Sequence, residues 1–264
     1  MFDYHTPEGF DRANPSVTPW TVTTASYFSN TTKNERLCTV ILPAGYTKQK
    51  TYPVLYLLHG IGGDHKEWLY GAPAEIISSL VAKGEASEMI VVLPNVRAAA
   101  DDSIPAEHIT PTNIAAFDNF INDLREDLMP YIHANYSVKT GREHTAIAGL
   151  SMGGRETLFI GFSMFDTFGY IGAFSPAPGL LPHAKLNYPG QFSEETFTIP
   201  EGAPTPYLVM LCTGEQDEII EGVASYYDST LTKNNVPHQY YTMPGGHDFT
   251  VWKNGLYHFA RQIF

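Results

Sequence analysis

Short stretches of apolar and β-branched residues recur along the chain, and each is bounded by Gly, Pro or Asn, as is typical of β-strands. These stretches cover residues 21–28, 36–42, 53–59, 89–94, 144–149, 169–174, 206–213 and 237–243. Several are apolar without interruption, which is expected of central strands in a parallel sheet covered on both faces. The pattern therefore predicts a sheet of eight strands.

Between the later strands the apolar residues follow helical spacing, at i, i+3, i+4 and i+7. The three stripes are Phe117, Phe120, Ile121, Leu124, Leu128 and Ile132; Ile219, Val223, Tyr226, Tyr227 and Leu231; and Val251, Trp252, Leu256, Phe259 and Ile263. Pro130 should kink the end of the first helix. Alternating strands and helices indicate an α/β fold, here a mostly parallel sheet with helices on both faces, in one domain over residues 1–264. The first two strands lack an intervening helix, so we expect them to form an antiparallel edge.

Two long segments interrupt the alternation of strands and helices. Residues 95–116 follow the fourth predicted strand and residues 175–205 follow the sixth, and both segments are rich in Pro, Ala and Asn. They lie at the carboxyl ends of strands, where open α/β sheets bind ligands. Because long loops in such positions are usually functional, we expect them to wall a binding site.

The amino-acid composition argues against some classes of function. The 264 residues are 43% hydrophobic and only 17% charged, as in a packed globular protein. A net charge of −12 argues against nucleic-acid binding, which needs concentrated Lys and Arg. No apolar run approaches the ~18 residues of a membrane-spanning helix.

The two cysteines, Cys38 and Cys212, lie in strand-like runs and are expected to be buried free thiols. The polar N-terminal stretch lacks the pattern of a signal peptide. The protein is therefore expected either to stay inside the cell or to be represented by a mature or excised domain.

The segment HTAIAGLSMGGRETLFIGF contains the strongest catalytic signal, because GLSMG matches the GxSxG pattern of a nucleophile elbow. An apolar strand precedes Ser151 and a helical pattern follows it, which is the context the motif requires. Gly149 and Gly153 supply the room that this turn needs. Ser151 is therefore the predicted nucleophile, at a helix N-terminus that favours developing negative charge.

A serine hydroxyl needs a base, and the base needs an orienting carboxylate. In this fold the expected chain order is Ser, then acid, then His, each just past a strand. Asp217 follows the seventh strand and His247 the eighth, so they are the predicted acid and base. Glu215 and Glu218, on the same loop as Asp217, remain alternative acids.

Catalysis also needs N–H donors aimed at the oxyanion. The residue after the nucleophile, Met152, should supply one of them. The Gly-rich turn after the third strand should supply the other, from Ile61 or, as a near alternative, Gly62. His59 at that strand end is expected to pin the loop. The histidines lack metal-ligand spacing and no nucleotide motif is present, so neither a metal nor a cofactor is predicted.

With these residues in view, the chain resembles the esterase D-type branch of the α/β hydrolases, and within it the feruloyl esterases of carbohydrate esterase family one. The matching segments include YPVLYLLHGIGGDHKEW, REHTAIAGLSMGGRETL, GYIGAFSPAP and GGHDFTVWK. The resemblance assigns the same nucleophile, acid and base, Ser151, Asp217 and His247. At the position before the acid, where relatives often have Asn, this chain has Gln216.

The resemblance implies hydrolysis of feruloyl or related hydroxycinnamoyl esters on arabinoxylan, by a secreted enzyme that can be attached to other carbohydrate-active modules. Acetylxylan esterases of the same family, and S-formylglutathione hydrolases of the wider fold, are the alternatives. Gly60, Trp68 and Pro176 are the residues expected to contact substrate, although Trp68 could equally anchor the loop. The expected lining of an acyl slot is Ile104, Pro105, Pro176, Pro178, Leu180 and Leu181.

Overall fold

In the computed structural model, which describes residues 2–183 and 189–264, the predicted strands form one sheet. The strands are β1 Thr21–Ser29, β2 Asn34–Leu42, β3 Val54–Leu58, β4 Ile90–Pro94, β5 Thr145–Leu150, β6 Tyr170–Phe174, β7 Leu208–Gly214 and β8 Gln239–Met243. Their order is β1-β2-β4-β3-β5-β6-β7-β8. Strand β2 pairs antiparallel with both β1 and β4, whereas every pair from β4 to β8 is parallel. The predicted antiparallel edge and parallel centre are both confirmed.

The burial of each strand follows its place in the sheet. Every residue of β3, β4 and β5 is buried, in agreement with their uninterrupted apolar sequences. The edge strand β1 is mostly exposed along its first half. The central strands are apolar throughout because both of their faces are covered, whereas the edge strand contains polar residues where it is exposed.

Helices cover both faces of the sheet, as predicted. They are α1 Pro73–Ala82, α2 Pro111–Asp118, α3 Phe120–Asp123, α4 Met129–Asn135, α5 Ser151–Gly161, α6 Val223–Lys233 and α7 Phe249–Ala260. Leu80 of α1 and Leu256 of α7 belong to the core on one face. Leu158 of α5 and Leu231 of α6 belong to the core on the other face. The sheet therefore separates two apolar cores.

The helical segment that contains Pro130 is irregular, as predicted. The irregularity lies about one turn before the kink that was expected at Pro130. A wide, π-helical turn over Leu124–Leu128 joins α3 to α4, and Pro130 lies in the first turn of α4. Proline has no N–H to donate and its ring crowds the preceding turn of an α-helix. We attribute the wide turn to this crowding, since π-helical bulges interrupt the regular hydrogen-bond ladder.

The second stripe starts later than the sequence suggested. Ile219 was expected in the helix, yet α6 begins only at Val223, after Gly222 in a left-handed conformation with φ 76°. The N–H groups of Ile219 and Ile220 donate to the Asp217 carboxylate instead. This turn leaves the Ile219 side chain 73% exposed.

Both cysteines are buried free thiols, as predicted. Burial raises the pKa of Cys38 and of Cys212 to about 12, which keeps both thiols protonated and unreactive. Among the described residues no helix is long and apolar enough to cross a membrane.

Candidate active site

Ser151 lies on the sharp turn between β5 and α5. Its backbone has φ 51°, a left-handed conformation that is rare for a residue with a side chain. A Cβ on Gly149 would lie 2.5 Å from the carbonyl carbon of Gly153, and a Cβ on Gly153 would lie 2.4 Å from the carbonyl oxygen of Leu58. The two glycines are therefore required by close approach of backbone to backbone, and the strained turn presents Ser151 at the strand ends.

The predicted acid and base converge on this serine. His247 Nε2 lies 2.8 Å from the Ser151 hydroxyl, and His247 Nδ1 lies 2.8 Å from Asp217 Oδ2. Because a carboxylate can only accept, Nδ1–H donates to Asp217 and leaves Nε2 free to accept from the serine O–H. The three side chains form one continuous hydrogen-bonded chain. The arrangement can deprotonate the serine and stabilise the resulting imidazolium.

Neighbouring contacts hold the acid and base loops together. The second oxygen of Asp217 accepts from the N–H groups of Ile219 and Ile220, at 3.2 and 3.3 Å. Gln216 exchanges two hydrogen bonds with Gly245, one through its side-chain oxygen at 2.7 Å and one through its backbone N–H at 2.9 Å. Gln216 therefore fastens the acid loop to the turn that carries His247.

The alternative acids do not face the histidine. Glu215 and Glu218 are exposed, whereas Asp217 is 7% exposed. Asp248 caps the N-terminus of α7 by accepting from the N–H of Thr250 at 2.7 Å. The carboxylate on His247 is thus the one that the sequence predicted.

The Gly-rich loop after β3 is held from two sides. His59 is buried, its Nδ1–H donates to the carbonyl of Gly60 at 2.7 Å, and its Nε2 accepts from the N–H of Val96 at 2.8 Å. Burial lowers the pKa of His59, which keeps Nε2 neutral and able to accept. Glu67 accepts from the N–H of Gly60 at 2.7 Å. The predicted pinning role of His59 is confirmed, and Glu67 is a second anchor.

The predicted oxyanion donors lie beside the serine. Ile61 and Met152 both line the pocket that contains Ser151, and Met152 is in the first turn of α5, where N–H groups have no partner within the helix. A Cβ on Gly62 would contact the His108 ring at 3.5 Å, and Gly62 is not part of the pocket lining. Ile61 lines the pocket and Gly62 does not, so Ile61 remains the second donor that we expect.

A pocket of about 340 Å³ opens next to Ser151, and we call it the acyl pocket. Its lining is Ile61, Ile109, Ile114, Asp118, Ser151, Met152, Arg155, Ala177, Pro178, Gly179, Pro189, Gly190, Gln191, Ile219 and Ile220. Most of these residues are apolar, and the volume suits a ring-sized group. Residues 95–116 and 175–205 both contribute to the wall, as predicted, although residues 184–188 lie outside the described part of the chain.

One part of the acyl pocket carries charge. Arg155 is 3% exposed, donates to Asp118 Oδ1 at 2.6 Å and also donates to the buried Glu156. Burial alone would lower the pKa of Arg155, but the Glu156 and Asp118 carboxylates raise it. Burial raises the pKa of Glu156 to about 7. A cation held by two carboxylates therefore forms one wall of an otherwise apolar slot.

The expectation that Trp68 contacts substrate is wrong. Trp68 is 1% exposed, and its Nε1–H donates to the carbonyl of Leu58 at 2.8 Å. Its ring packs edge-on against Phe174 and Phe249. The loop-anchoring alternative is the correct one, because an indole buried in the core has no surface to offer a ligand.

Other predicted contact residues also lie elsewhere. Pro176, Leu180 and Leu181 are buried and do not line the acyl pocket, and neither do Ile104 and Pro105. Gly60 donates its N–H to Glu67, and its role is close packing beside Ser151. Of the residues predicted to line the acyl slot, only Pro178 lies in the wall of the acyl pocket. Its neighbours Pro176, Leu180 and Leu181 are buried in the protein instead.

Several residues of the pocket were not foreseen. Asp118 and Arg155 meet across a sequence separation of 37 residues, and nothing in their local sequences predicts that contact. A signal was present for Arg155, since it is a charged residue one turn after the nucleophile, next to Glu156, and both are followed by the apolar part of the helix. The described residues contain no group of His, Cys, Asp or Glu arranged to hold a metal ion.

A parallel sheet with a hydrogen-bonded Ser–His–Asp set at its strand ends is the arrangement of the serine hydrolases of the α/β-hydrolase class. The model of the Esterase family matches residues 29–263. The chain belongs to this family and is a carboxylic ester hydrolase.

Individual proteins that are similar to this chain are also esterases. A CE1 ferulic acid esterase from the anaerobic fungus Anaeromyces mucronatus, solved without substrate, is 35% identical with a TM-score of 0.93, over 100% of this chain and 97% of that one. Its complex with ferulic acid gives a TM-score of 0.94, also at 35% identity, and covers 98% of that chain. An endo-1,4-beta-xylanase/feruloyl esterase from Xylanibacter ruminicola is 26% identical over 90% of this chain. This chain spans only 31% of that relative's length.

Proposed function

We propose that the protein hydrolyses feruloyl and related hydroxycinnamoyl esters of arabinoxylan through an acyl-enzyme on Ser151. The observation that carries the proposal is the Asp217–His247–Ser151 hydrogen-bonded chain opening directly onto an apolar pocket of about 340 Å³. An acetyl group would leave most of this volume unfilled. The solved relative with ferulic acid bound supports the same acyl group.

The proposed reaction has two halves. In the first, Ser151 Oγ attacks the ester carbonyl while its proton passes to His247 Nε2, and the N–H groups of Ile61 and Met152 stabilise the oxyanion. Asp217 keeps the imidazole oriented and stabilises its positive charge. His247 then gives the proton to the departing sugar oxygen, and the acyl group remains on Ser151.

In the second half a water molecule replaces the sugar alcohol. His247 takes a proton from the water, the resulting nucleophile attacks the acyl-enzyme carbonyl, and the same N–H groups bind the second oxyanion. Collapse of the intermediate releases the free hydroxycinnamic acid and returns the proton to Ser151 Oγ. The apolar wall favours the aromatic acyl group in both halves.

We further propose that the enzyme acts outside the cell and is joined in some proteins to other carbohydrate-active modules. Arabinoxylan is a wall polymer, and the relatives include an endo-1,4-beta-xylanase/feruloyl esterase and an endo-1,4-beta-xylanase Y from Acetivibrio thermocellus. This chain covers 31% and 12% of those relatives, so most of each lies outside the match.

A substrate panel tests the function. Methyl ferulate, methyl sinapate and acetylated xylan are compared by kcat/KM, and we expect methyl ferulate to exceed the acetyl ester by about tenfold or more, a difference of ~1.4 kcal/mol in transition-state binding. Pocket contacts of this kind can supply that difference. Equal or better hydrolysis of acetylated xylan would instead identify an acetylxylan esterase.

A further inference from the structure

The acyl pocket lies over one face of the sheet only. Five of its apolar lining residues belong to the core covered by α5 and α6 or pack against it, namely Ile61, Ile114, Met152, Ala177 and Ile220. The opposite core includes Trp68, which follows the oxyanion loop, and Trp252, whose ring meets the His247 ring edge-on at 5.2 Å. The surroundings of Ser151 therefore have a second side that the acyl group does not occupy.

The position of His247 decides on which side the alcohol of an ester lies. Its Nε2 is 2.8 Å from Ser151 Oγ, and in the proposed reaction it passes a proton to the departing sugar oxygen. That oxygen must therefore lie next to the imidazole, which is not among the groups that line the acyl pocket. The sugar of a bound ester is thus directed toward the face that carries Trp68 and Trp252.

A short 3₁₀ helix over Glu67–Gly71 borders this side of the site. The carboxylate of its first residue accepts from the N–H of Gly60, and a Cβ on Gly60 would lie 3.5 Å from Ser151 Cβ. A Cβ on its last residue would lie 2.8 Å from the ring of Phe249, two residues after His247. The helix therefore runs from the oxyanion loop to the segment that follows the catalytic base.

Tyr70 presents an open aromatic ring on this 3₁₀ helix. It is 80% exposed, and its neighbour Leu69 is also exposed, whereas Trp68 and Trp252 are buried. In a 3₁₀ helix the side chains at i and i+3 lie above one another, so Tyr70 is on the same side as Glu67, about 6 Å further along the axis. Because Glu67 faces the oxyanion loop, the Tyr70 ring lies at the mouth of the site, on the alcohol side.

We propose that Tyr70 stacks against the sugar that carries the acyl group, and so favours esters of the polysaccharide over simple alkyl esters. The inference rests on the proposed function and specifies the alcohol half of its substrate. The face of a phenol ring is apolar and bears the negative part of its quadrupole, which attracts the slightly positive C–H groups on the face of a sugar ring. An exposed ring beside an exposed leucine supplies the apolar surface that such stacking needs.

The two halves of the reaction supply an internal control. Methyl ferulate and a feruloylated arabinoxylan oligosaccharide give the same acyl-enzyme once the alcohol has left. A side chain that contacts only the sugar therefore affects the formation of the acyl-enzyme and has no effect on its hydrolysis. A side chain that supports the oxyanion loop would affect both halves and both esters, because the same N–H groups serve each step.

The test compares these two esters of one acid in variants of Tyr70. Tyr70→Ala should lower kcat/KM for the oligosaccharide by about 5- to 10-fold and that for methyl ferulate by less than about twofold. Tyr70→Phe keeps the ring face and should stay within about twofold of the parent for both esters. The rate of acyl-enzyme hydrolysis, measured by stopped flow, should be the same in the parent and in Tyr70→Ala. Since the ring is exposed, the thermal unfolding temperature should not change.

Two control variants separate stacking from its alternatives. Phe28→Ala removes a similarly exposed ring from β1, which three strands separate from β5, and it should change neither ester. Leu69→Ala removes apolar surface without a ring and should lower kcat/KM for the oligosaccharide less than Tyr70→Ala does. The inference is overturned if Leu69→Ala has the larger effect, or if Tyr70→Ala lowers both esters alike or neither of them.

Failure of the proposed function gives a different result. A parent enzyme that hydrolyses neither feruloyl ester faster than an acetyl ester would contradict the proposed function, and this inference would fail with it. A parent enzyme that hydrolyses both feruloyl esters well, with no selective loss for the oligosaccharide in Tyr70→Ala, would overturn the role of Tyr70 alone.

Discussion

The two halves of the candidate site are built in different ways. The proposed catalytic half consists of Ser151, His247, Asp217 and the N–H groups of Ile61 and Met152, which follow the carboxyl ends of β3, β5, β7 and β8. The acyl pocket is instead walled by side chains from α2, α5 and four separate loops. Close backbone contacts fix the first half, whereas the second depends on which side chains the loops turn inward.

This difference separates chemistry from selectivity. Every ester needs the same proton transfers and the same oxyanion donors, so a change in the catalytic half should affect all substrates alike. Only an aromatic acyl group reaches the far walls of the acyl pocket. A change there should therefore alter the ranking of substrates and leave the smallest ester nearly untouched.

The largest effect is expected from Ser151→Ala. Without the nucleophile, kcat should fall on the order of 10⁴- to 10⁶-fold for aromatic and acetyl esters alike. Loss of one hydroxyl at the turn should leave the thermal unfolding temperature nearly unchanged. Steady-state kinetics on both ester types measure the loss. Activity within about tenfold of the parent would contradict the assignment of the nucleophile.

Asp217→Asn should have the next largest effect. The imidazole loses its orienting and charge-stabilising partner, so kcat should fall about 10³- to 10⁴-fold while KM changes little. Glu215→Gln and Glu218→Gln are matched controls, because they make the same chemical change at exposed positions of the same loop. If either control is more damaging than Asp217→Asn, the acid has been misplaced.

Glu67→Ala tests the anchoring of the oxyanion loop. Its carboxylate accepts from the N–H of Gly60, immediately before the Ile61 donor. Releasing this contact should lower kcat by about tenfold for every ester with little change in KM, which is less than the loss of a donor itself. Glu67→Gln keeps an acceptor and should recover part of the rate. A change confined to thermal stability would show that Glu67 only supports the fold.

The smallest effect is expected at the mouth of the acyl pocket. Ile219 lines the pocket and is 73% exposed, so Ile219→Ala removes apolar contact without opening the core. The lost contact of about 1 kcal/mol corresponds to roughly a fivefold lower kcat/KM for methyl ferulate and no change for an acetyl ester.

Ile104→Ala is the matched control for this prediction. Ile104 is also an exposed isoleucine, at 46%, on a loop near the site, but it does not line the pocket. Its replacement should leave both esters unaffected. An equal loss from Ile104→Ala would place the acyl group on a different wall.

The accuracy of the sequence interpretation differs in the same way between the two halves. The structure brings Ser151, Asp217 and His247 together at the positions that the sequence suggested, because each lies just after a strand and strands and turns are local in sequence. Trp68, Pro176 and Leu180 were expected in the site but are buried. An apolar side chain suits a pocket wall and a core equally well, and its sequence does not distinguish the two.

The amino-acid sequence by itself therefore determined the α/β sheet, the strained turn at Ser151 and the strand ends that carry its partners, because periodicity and turn chemistry act over a few residues. Only the tertiary structure decided the acyl pocket. Asp118 meets Arg155 across 37 residues, and Ile109 and Ile219 come from different loops. Such contacts are set by how distant segments pack against one another, which no local pattern records.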